Sequence, residues 1–465
     1  MIRIIGGGLA GSEAAWQAAS RGVPVTIHEM RPLRTTQVHK TDQLAELVCS
    51  NSFRGDTLEN AVGLLKAEMR ELDSLVIRVA DATRVPAGSA LAVDRDRFAR
   101  GITEALDAQS LVTICREEVP GIPDIFNRRA PVIVATGPLT SESLSADIVS
   151  LVGQDNLYFY DAISPIVHAD SIDYSVVFRA SRQRRNPRGG GRTLYPREVG
   201  PESGEGDYLN CPMSEAEYLR FYDALIHAEL AELHDFDRTP FFEGCLPIEV
   251  MAHRGIDTLR FGPMKPVGLT DPATGRQPYA VVQLRQDNLA ADHYSLVGFQ
   301  TQLKWGEQRH VLQLIPGLER AEFVRLGMIH RNTYVNAPTL LDQTWQTRAR
   351  EGLFFAGQIS GVEGYVESAA SGLIAGLNAV ALVRGAETSA PPRTTALGAL
   401  AYYVSHADPT SYQPTNVTFG LFPSLDKPPR GRQARRQALA QRALKDLATW
   451  RVAASIDAQT SPVVS

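Results

Sequence analysis

Cysteine is scarce in this chain. There are four in 465 residues, Cys49, Cys115, Cys211 and Cys245. They stand far apart and form no CxxC pair, which argues against a disulfide framework and a zinc site, so no metal is expected. An excess of one charge is also lacking. Lys and Arg total 47 against 52 Asp and Glu, a net charge of −5. Any nucleic-acid site must then be a local patch. No apolar run approaches about 18 residues, which speaks against a transmembrane helix and a membrane partner. The N-terminus lacks a basic n-region and a cleavage site, so it reads as a strand rather than a signal peptide. The expected setting is the cytoplasm, where thiols stay reduced. Hydrophobic content of 44% with 21% charge is ordinary for a globular protein, and the length suffices for two or three domains around a large core.

What is present begins at once. Residues 2–29 read IRIIGGGLAGSEAAWQAASRGVPVTIHE. A short apolar strand, Ile2 to Ile5, runs into Gly6-x-Gly8-x-x-Gly11. A helical stretch follows, then a second strand, Val23 to Ile27, that ends near Glu29. Gly6 permits the tight turn, Gly8 lets a pyrophosphate approach the backbone, and Gly11 allows close packing of helix on sheet. The helix start, with Leu9 and Ala10, offers unpaired N–H groups to phosphates. Glu29 lies where a carboxylate bonds a ribose hydroxyl, and Arg31 is grouped with it. This is a dinucleotide-binding opening. It does not by itself separate FAD from NAD(P).

Further along, Leu64, Leu65, Met69, Leu72 and Leu75 have helical spacing and read as a core-facing stripe. They follow a polar loop, Cys49-Ser50-Asn51-Ser52, that is itself read as following an apolar helix. Asp94 to Leu106 reads as an amphipathic helix. An apolar run then ends in Ala135-Thr136-Gly137-Pro138, where Thr136 and Gly137 are expected to pass close to a cofactor. Residues 151–320 have a different texture, with aromatics, prolines and β-like runs such as Tyr279 to Leu284 and Tyr294 to Gln300. Within them the stretch from Arg182 to Gly206 is basic and glycine-rich, the pattern of a mobile loop. The dinucleotide texture returns at Leu353-Phe354-Phe355-Ala356-Gly357-Gln358, followed by a small-residue helix from Ser368 to Ala379 whose N-terminus offers a positive dipole end. The three nucleotide-like segments together favour FAD.

The expected fold is therefore α/β: a two-dinucleotide-domain-type Rossmann FAD-binding domain with an inserted α+β domain and a short helical C-terminal tail. Its parts are residues 1–150, the first part of the FAD-binding domain; 151–320, the insertion; 321–390, the returning part; and 391–465, a basic tail. In that tail Arg432, Arg435, Arg436, Arg442 and Lys445 sit on a plausible helix. This is either a solvated face or a phosphate-contacting surface.

The run AGQISGVEGYVESAASGLIAGLNA resembles the signature of the glucose-inhibited-division-protein-A-like tRNA-modifying flavoproteins. Further blocks, among them ELVCSNS, VPAGSALAVDR, YFYDAISPIV, FFEGCLPIEVMA, YAVVQLRQDN and MIHRNTYVN, resemble the folate- and FAD-dependent tRNA uracil-5 methyltransferases of that family. The likeness runs from residue 1 to about residue 425. The larger carboxymethylaminomethyl-uridine-forming relatives have a much longer C-terminal region, and the 182–206 stretch is longer than the family pattern. The resemblance implies FAD, NADPH or NADH as electron source, and 5,10-methylenetetrahydrofolate as one-carbon donor. It also implies tRNA as substrate, methylated at C5 of the T-loop uridine (position 54 of tRNA). Some relatives act on ribosomal RNA instead.

That chemistry sets requirements. Uracil C5 is a poor nucleophile until a thiolate adds at C6, a base must then take the C5 proton, and a hydride equivalent must turn methylene into methyl. By resemblance Cys245 is the C6 nucleophile. Cys49 is a second active-site thiol, acting as base or as a guard of the one-carbon unit. Cys115 and Cys211 are read as structural. His330, Arg331 and Asn332 are expected near the folate or flavin rings. Arg285 and Lys304 are expected to meet folate carboxylates or RNA phosphates, and Tyr365 the flavin edge. Arg432, Arg435 and Arg436 are the expected RNA contacts of the tail. Two other readings stay open: an FAD-dependent oxidoreductase of a small metabolite, and a flavin-bearing RNA-binding protein without catalysis. The sequence leaves the oligomeric state open.

Overall fold

Five short apolar runs, far apart in sequence, line up as one parallel sheet. Its order is Leu353–Phe355, Val132–Val134, Ile2–Ile5, Val25–Glu29, Val112–Arg116, and every pairing is parallel. Such strands are covered on both faces and need apolar side chains pointing both ways. Ile2, Ile4, Ile133, Val134, Phe354 and Phe355 are all buried. The second strand starts at Val25 rather than Val23, because the Val23 N–H is still held by the Ala18 carbonyl at the helix end and Pro24 has no N–H to give. The structure is a computed structural model. It describes residues 1–36, 38–123, 127–153, 157–182, 206–231 and 246–454, with 152, 157–162 and 329–331 described by their backbone alone. Cys245 and residues 183–205 of the basic stretch lie outside the described residues.

Two helices cross beside this sheet at backbone contact. Helix Leu9–Ala19 follows the first strand, and helix Tyr365–Val383 follows the last. A Cβ on Gly372 would lie 2.1 Å from the Ala10 carbonyl oxygen, and one on Gly376 2.8 Å from that of Ala14. Only glycine admits that approach. Helix Tyr365–Val383 begins three residues before the small-residue run. Contrary to the sequence reading, it is long and apolar enough to cross a membrane by length and composition, yet most of it is buried inside the protein. Its place is the core.

The Leu64-to-Leu75 stripe is divided between helix Ala61–Glu71 and helix Leu75–Ala82. Asp73, at φ 54°, breaks the run, and all five side chains remain buried. Helix Arg95–Asp107 is capped by Asp94, whose side chain accepts the Arg97 N–H. The expected apolar helix before Cys49 does not form. Residues 41–50 are turns and extended chain, with Ala45 at φ 52°.

Between the strands at Val132 and Leu353 the chain builds a second sheet with its own core. Its order is Phe178–Ala180, Tyr208–Met213, Ala280–Gln286, His293–Leu296, Ile166–His168, Phe323–Arg325, all antiparallel. Helix Glu215–His227 opens with a capping box, Ser214 with Glu217, and packs Tyr218, Phe221 and Leu225 into that core. The run expected from Tyr294 to Gln300 stops as a strand at Leu296, just before Gly298 turns at φ 78°. An antiparallel ribbon, Leu157–Ala162 with Ile329–Tyr334, carries the chain out and back. A three-stranded sheet, Ser52–Gly55, Ala90–Val93 and Arg84–Val85, lies beyond the Cys49 loop. The tail helix Arg432–Ala453 packs on helix Ala61–Glu71 and buries Ala440, Ala443, Leu447 and Trp450.

Candidate active site

Three glycines shape the turn after the first strand, each for a different reason. Gly6 sits at φ 105°, and a Cβ there would be 2.5 Å from the Ala135 carbonyl oxygen. A Cβ on Gly11 would be 1.9 Å from the Gly6 oxygen and 3.1 Å from Ile4. Gly8 differs. It is the N-cap of helix Leu9–Ala19 with φ −74°, and a Cβ on it would meet nothing within 4 Å. The fold therefore does not need glycine at position 8, whereas a ligand resting on that backbone does.

The other nucleotide segments converge here, outside the carboxyl ends of the parallel strands, where α/β sheets bind ligands. Gly137 turns at φ 66° with open space beside it, and the Thr136 and Thr140 hydroxyls bond at 2.7 Å. Gly357, at φ 80°, places its α-carbon against Ala10, where a Cβ would come to 3.0 Å of the Ala10 Cβ. Its N–H donates to Ser371 Oγ at 2.7 Å. Gln358 Nε2 donates to Glu363 at 2.7 Å. Glu29 Oε2 accepts the Gly7 N–H at 2.9 Å, while Oε1 accepts Arg31 Nε at 2.9 Å. Burial opposes the charge of Glu29, but the hydrogen bonds and charge of Arg31, with the Gly7 N–H, outweigh it and hold the carboxyl below its usual range. Arg31 also reaches Glu46, at 3.2 Å. A fixed carboxylate thus stands at the end of the second strand, as a ribose site requires.

Asn332 presents a buried amide toward the candidate site. It is fully buried, and neither its amide nitrogen nor its amide oxygen has a partner among the described residues. Leaving such a group unpaired costs roughly 1–3 kcal/mol. Its strand is stitched to the segments after the Val132 and Leu353 strands: Thr333 N–H donates to Pro138 O, and Val335 N–H to Ile359 O. The backbone of His330 and Arg331 lies on the same strand. An edge carrying both donors and acceptors, such as a flavin or pterin ring presents, fits that amide.

The Cys49 loop is held by Tyr365, the first residue of its helix. The phenol oxygen accepts the N–H groups of Cys49 and Ser50 at 2.9 and 3.1 Å, and it lies 3.0 Å from Cys49 Sγ. A phenol has one hydrogen and two acceptor sites. Both acceptor sites are taken, so the O–H is left for the sulfur, and the sulfur is the acceptor. Burial, then the nearby Cys49, pushes the Tyr365 phenol well above its usual range, so it stays a neutral donor. The ring packs on Phe53, with centroids 5.7 Å apart. Tyr365 thus holds the Cys49 loop.

Cations surround this pair. Arg285 Nε donates to Asn51 Oδ1 at 2.9 Å and Nη2 to Ser50 Oγ at 2.8 Å. Arg95 pairs with Asp287 at 3.0 Å and donates to the Leu47 carbonyl. Arg325 has both Cys49 and Tyr365 within electrostatic reach. Buried Asn51 locks the loop across domains, donating to the carbonyls of Val93, Gln286 and Asp287. Sequence reasoning did not single out Arg95, Asp287 or Arg325. A signal existed for two of them, since Arg95 closes the VPAGSALAVDR block and Asp287 lies in YAVVQLRQDN.

Other expected residues fall elsewhere. Lys304 forms an exposed ion pair with Glu229 at 2.7 Å. Cys211 is buried, and desolvation pushes its thiol far up, which suits a structural role. Cys115 is less isolated than its spacing suggests. Strand pairing sets it beside His28, and with Glu117 the three offer ligand-type atoms within 4.8 Å of one another. The His28–Glu117 bond of 2.8 Å already joins two of them. On the tail helix Arg436 donates to the Glu59 carbonyl and Arg435 to that of Pro429, while Arg432 is exposed. Two of the three expected RNA contacts therefore also hold the tail in place.

Comparison with known proteins places this architecture. The family model described as glucose inhibited division protein A matches residues 1–387. The methylenetetrahydrofolate–tRNA-(uracil-5-)-methyltransferase TrmFO of Desulforudis audaxviator is 57% identical over 450 residues, covering 97% of this chain and 98% of that protein. The TrmFO of Enterococcus faecalis is 55% identical over 95% of this chain and 97% of its own length. Among solved structures, GidA of Aquifex aeolicus superposes with a TM-score of 0.68 at 18% identity, covering 98% of this chain and 74% of that one, a likeness of fold. The chain belongs to the glucose inhibited division protein A family of flavoproteins, and within it to the TrmFO branch.

Proposed function

We propose that this protein methylates C5 of the T-loop uridine of tRNA, in the cytoplasm, with the one-carbon unit of 5,10-methylenetetrahydrofolate and electrons from NADPH or NADH. The observation that carries the reading is the Cys49–Tyr365 contact, at the end of the helix that also packs on the dinucleotide turn. Near-identity in length to the TrmFO relatives supports it. When bound, FAD supplies the hydride equivalent that turns methylene into methyl. Gly6, Gly8, Leu9, Ala10, Gly11, Glu29 and Arg31 would hold its nucleotide end, with Thr136, Gly137, Gly357 and Gln358 beside them.

The protein's own groups divide the remaining work. The Cys245 thiolate adds to uracil C6, which makes C5 enolate-like, and C5 bonds to the methylene carbon as the bond from that carbon to the folate nitrogen breaks and tetrahydrofolate leaves. The C5 proton must then go to a base, and the C6–S bond breaks as the ring double bond re-forms. Cys49 can take that proton as the thiolate, with the Tyr365 O–H placed to donate to its sulfur. Asn332 orients a ring that offers both a donor and an acceptor, and Arg285 keeps Ser50 and Asn51, hence the Cys49 backbone, in place.

The test is methyl transfer to an unmodified tRNA transcript, read as 5-methyluridine in the T-loop. Wild-type protein should require the folate and NAD(P)H. Cys245→Ala should lose methylation while keeping FAD bound and reducible. A protein that carries reducible FAD yet transfers no methyl group to tRNA would contradict the reading, and methylation of ribosomal RNA alone would move its target.

A further inference from the structure

Three arginines, Arg95, Arg285 and Arg325, lie within electrostatic reach of Cys49, and among the described residues Asp287 pairs with one of them. Arg95 is paired with Asp287. Arg285 is spent on neutral partners, Ser50 Oγ and Asn51 Oδ1. Arg325, on the edge strand Phe323–Arg325 of the second sheet, is half-buried, and its side chain has neither a hydrogen bond nor an ion pair among the described residues. Lys40, exposed at the rim, lies within electrostatic reach of Arg325 and Arg95. The nearby carboxylate on that side, Glu46, is already taken by Arg31 and by the N–H groups of Lys40 and Thr41. Burial and the charge of Arg95 act together to lower the proton affinity of Arg325. A guanidinium held half-desolvated near like charges, with no side-chain partner among the described residues, suits an anion.

The chemistry of the substrate says which anion. In the ordinary anti conformation of a pyrimidine nucleotide, the 5′-phosphate lies on the C6 side of the base. A uridine that turns its C5–C6 edge toward Cys49 therefore brings its own phosphate a few ångströms from that thiol. We propose that Arg325, with Lys40 within electrostatic reach of it, receives the 5′-phosphate of the uridine being modified. The inference rests on the uracil-methylating function proposed above and adds its anchoring point. Arg325 sets the depth and orientation of the flipped nucleotide, and the base alone then has to reach the thiols.

Neutralising either partner should give the same loss. The probes are a T-arm stem-loop RNA and the same RNA with an uncharged methylphosphonate in place of the phosphate 5′ of the target uridine. Binding is read by fluorescence anisotropy on the FAD-loaded protein. Wild type should bind the neutral-linkage RNA about tenfold more weakly. Arg325→Ala should bind the natural RNA about tenfold more weakly, with a salt slope smaller by about 0.7, and should lose little more on the neutral linkage. Arg325→Lys should recover part of the binding. Unchanged flavin absorbance and thermal unfolding would show that the variant is folded, as expected for a side chain without partners. Losses that multiply to about a hundredfold would overturn the contact. So would an Arg325→Ala variant that binds RNA like wild type but needs more methylenetetrahydrofolate, the more so with added glutamates, since the occupant would then be a folate carboxylate. If wild-type protein neither binds nor methylates the T-arm, the functional reading fails and takes this inference with it. Should wild type methylate normally and Arg325→Ala do so equally well, the inference alone fails.

Discussion

The dinucleotide turn and the thiol site are built from opposite materials. The turn is backbone, with Gly6, Gly8 and Gly11 inside six consecutive residues and clearances set by missing side chains. The thiol site is side chains brought from five segments: Cys49 to Asn51, Arg95, Arg285 to Asp287, Arg325 and Tyr365. One helix joins them. Tyr365 holds Cys49 at its start, and Gly372, seven residues on, seats on Ala10. At 1.5 Å per residue the two sites are about 10 Å apart along that axis. The turn should therefore fail when atoms are added, and the thiol site when atoms are removed.

The largest expected effect separates two glycines of the same turn. Gly8→Val puts a side chain into space the protein leaves empty, so the apoprotein should fold and melt as wild type does while FAD retention is lost, by roughly a hundredfold or more in affinity. Gly11→Val drives a side chain into the Gly6 carbonyl, so both FAD and thermal stability should fall, the latter by about 1–3 kcal/mol or more. Flavin absorbance and a melting curve for each variant decide this. A Gly8 variant that stays fully yellow would remove the pyrophosphate from that backbone.

A smaller effect is expected from one atom on the other side. Tyr365→Phe deletes the oxygen that serves Cys49 N–H, Ser50 N–H and Sγ together. Two half-buried N–H groups lose their acceptor, at about 1–3 kcal/mol, and the sulfur loses its donor. Methyl transfer should fall by roughly one to two powers of ten, with FAD content unchanged. Loss of FAD instead would return Tyr365 to the flavin edge, where the sequence alone had set it.

These contrasts also explain what could be read in advance. The turn, the parallel strands and the returning helix follow from local spacing, because glycine clearance and β-branched runs act over a few residues. Cys49 was legible only through its block, and the reason it is poised was not. Tyr365 lies 316 residues away, and no periodicity reports a partner at that distance. Arg325 illustrates the same limit. An arginine after Phe323-Val324 reads as an ordinary edge residue until the fold brings it within electrostatic reach of Cys49. Local rules failed where tertiary contacts decide, as in the helix expected before Cys49, whose residues instead serve the loop.

Cys49 and Cys245 are assigned two different roles, and trapping the uracil tests that division most directly. With a T-arm RNA carrying 5-fluorouracil at the target position, the fluorine cannot leave as a proton and the C6 adduct persists. Cys49→Ala should still form a covalent RNA–protein adduct in a denaturing gel, because its C6 nucleophile is intact, and Cys245→Ala should form none. An adduct that forms equally well without Cys245 and disappears without Cys49 would reverse the roles and contradict the account.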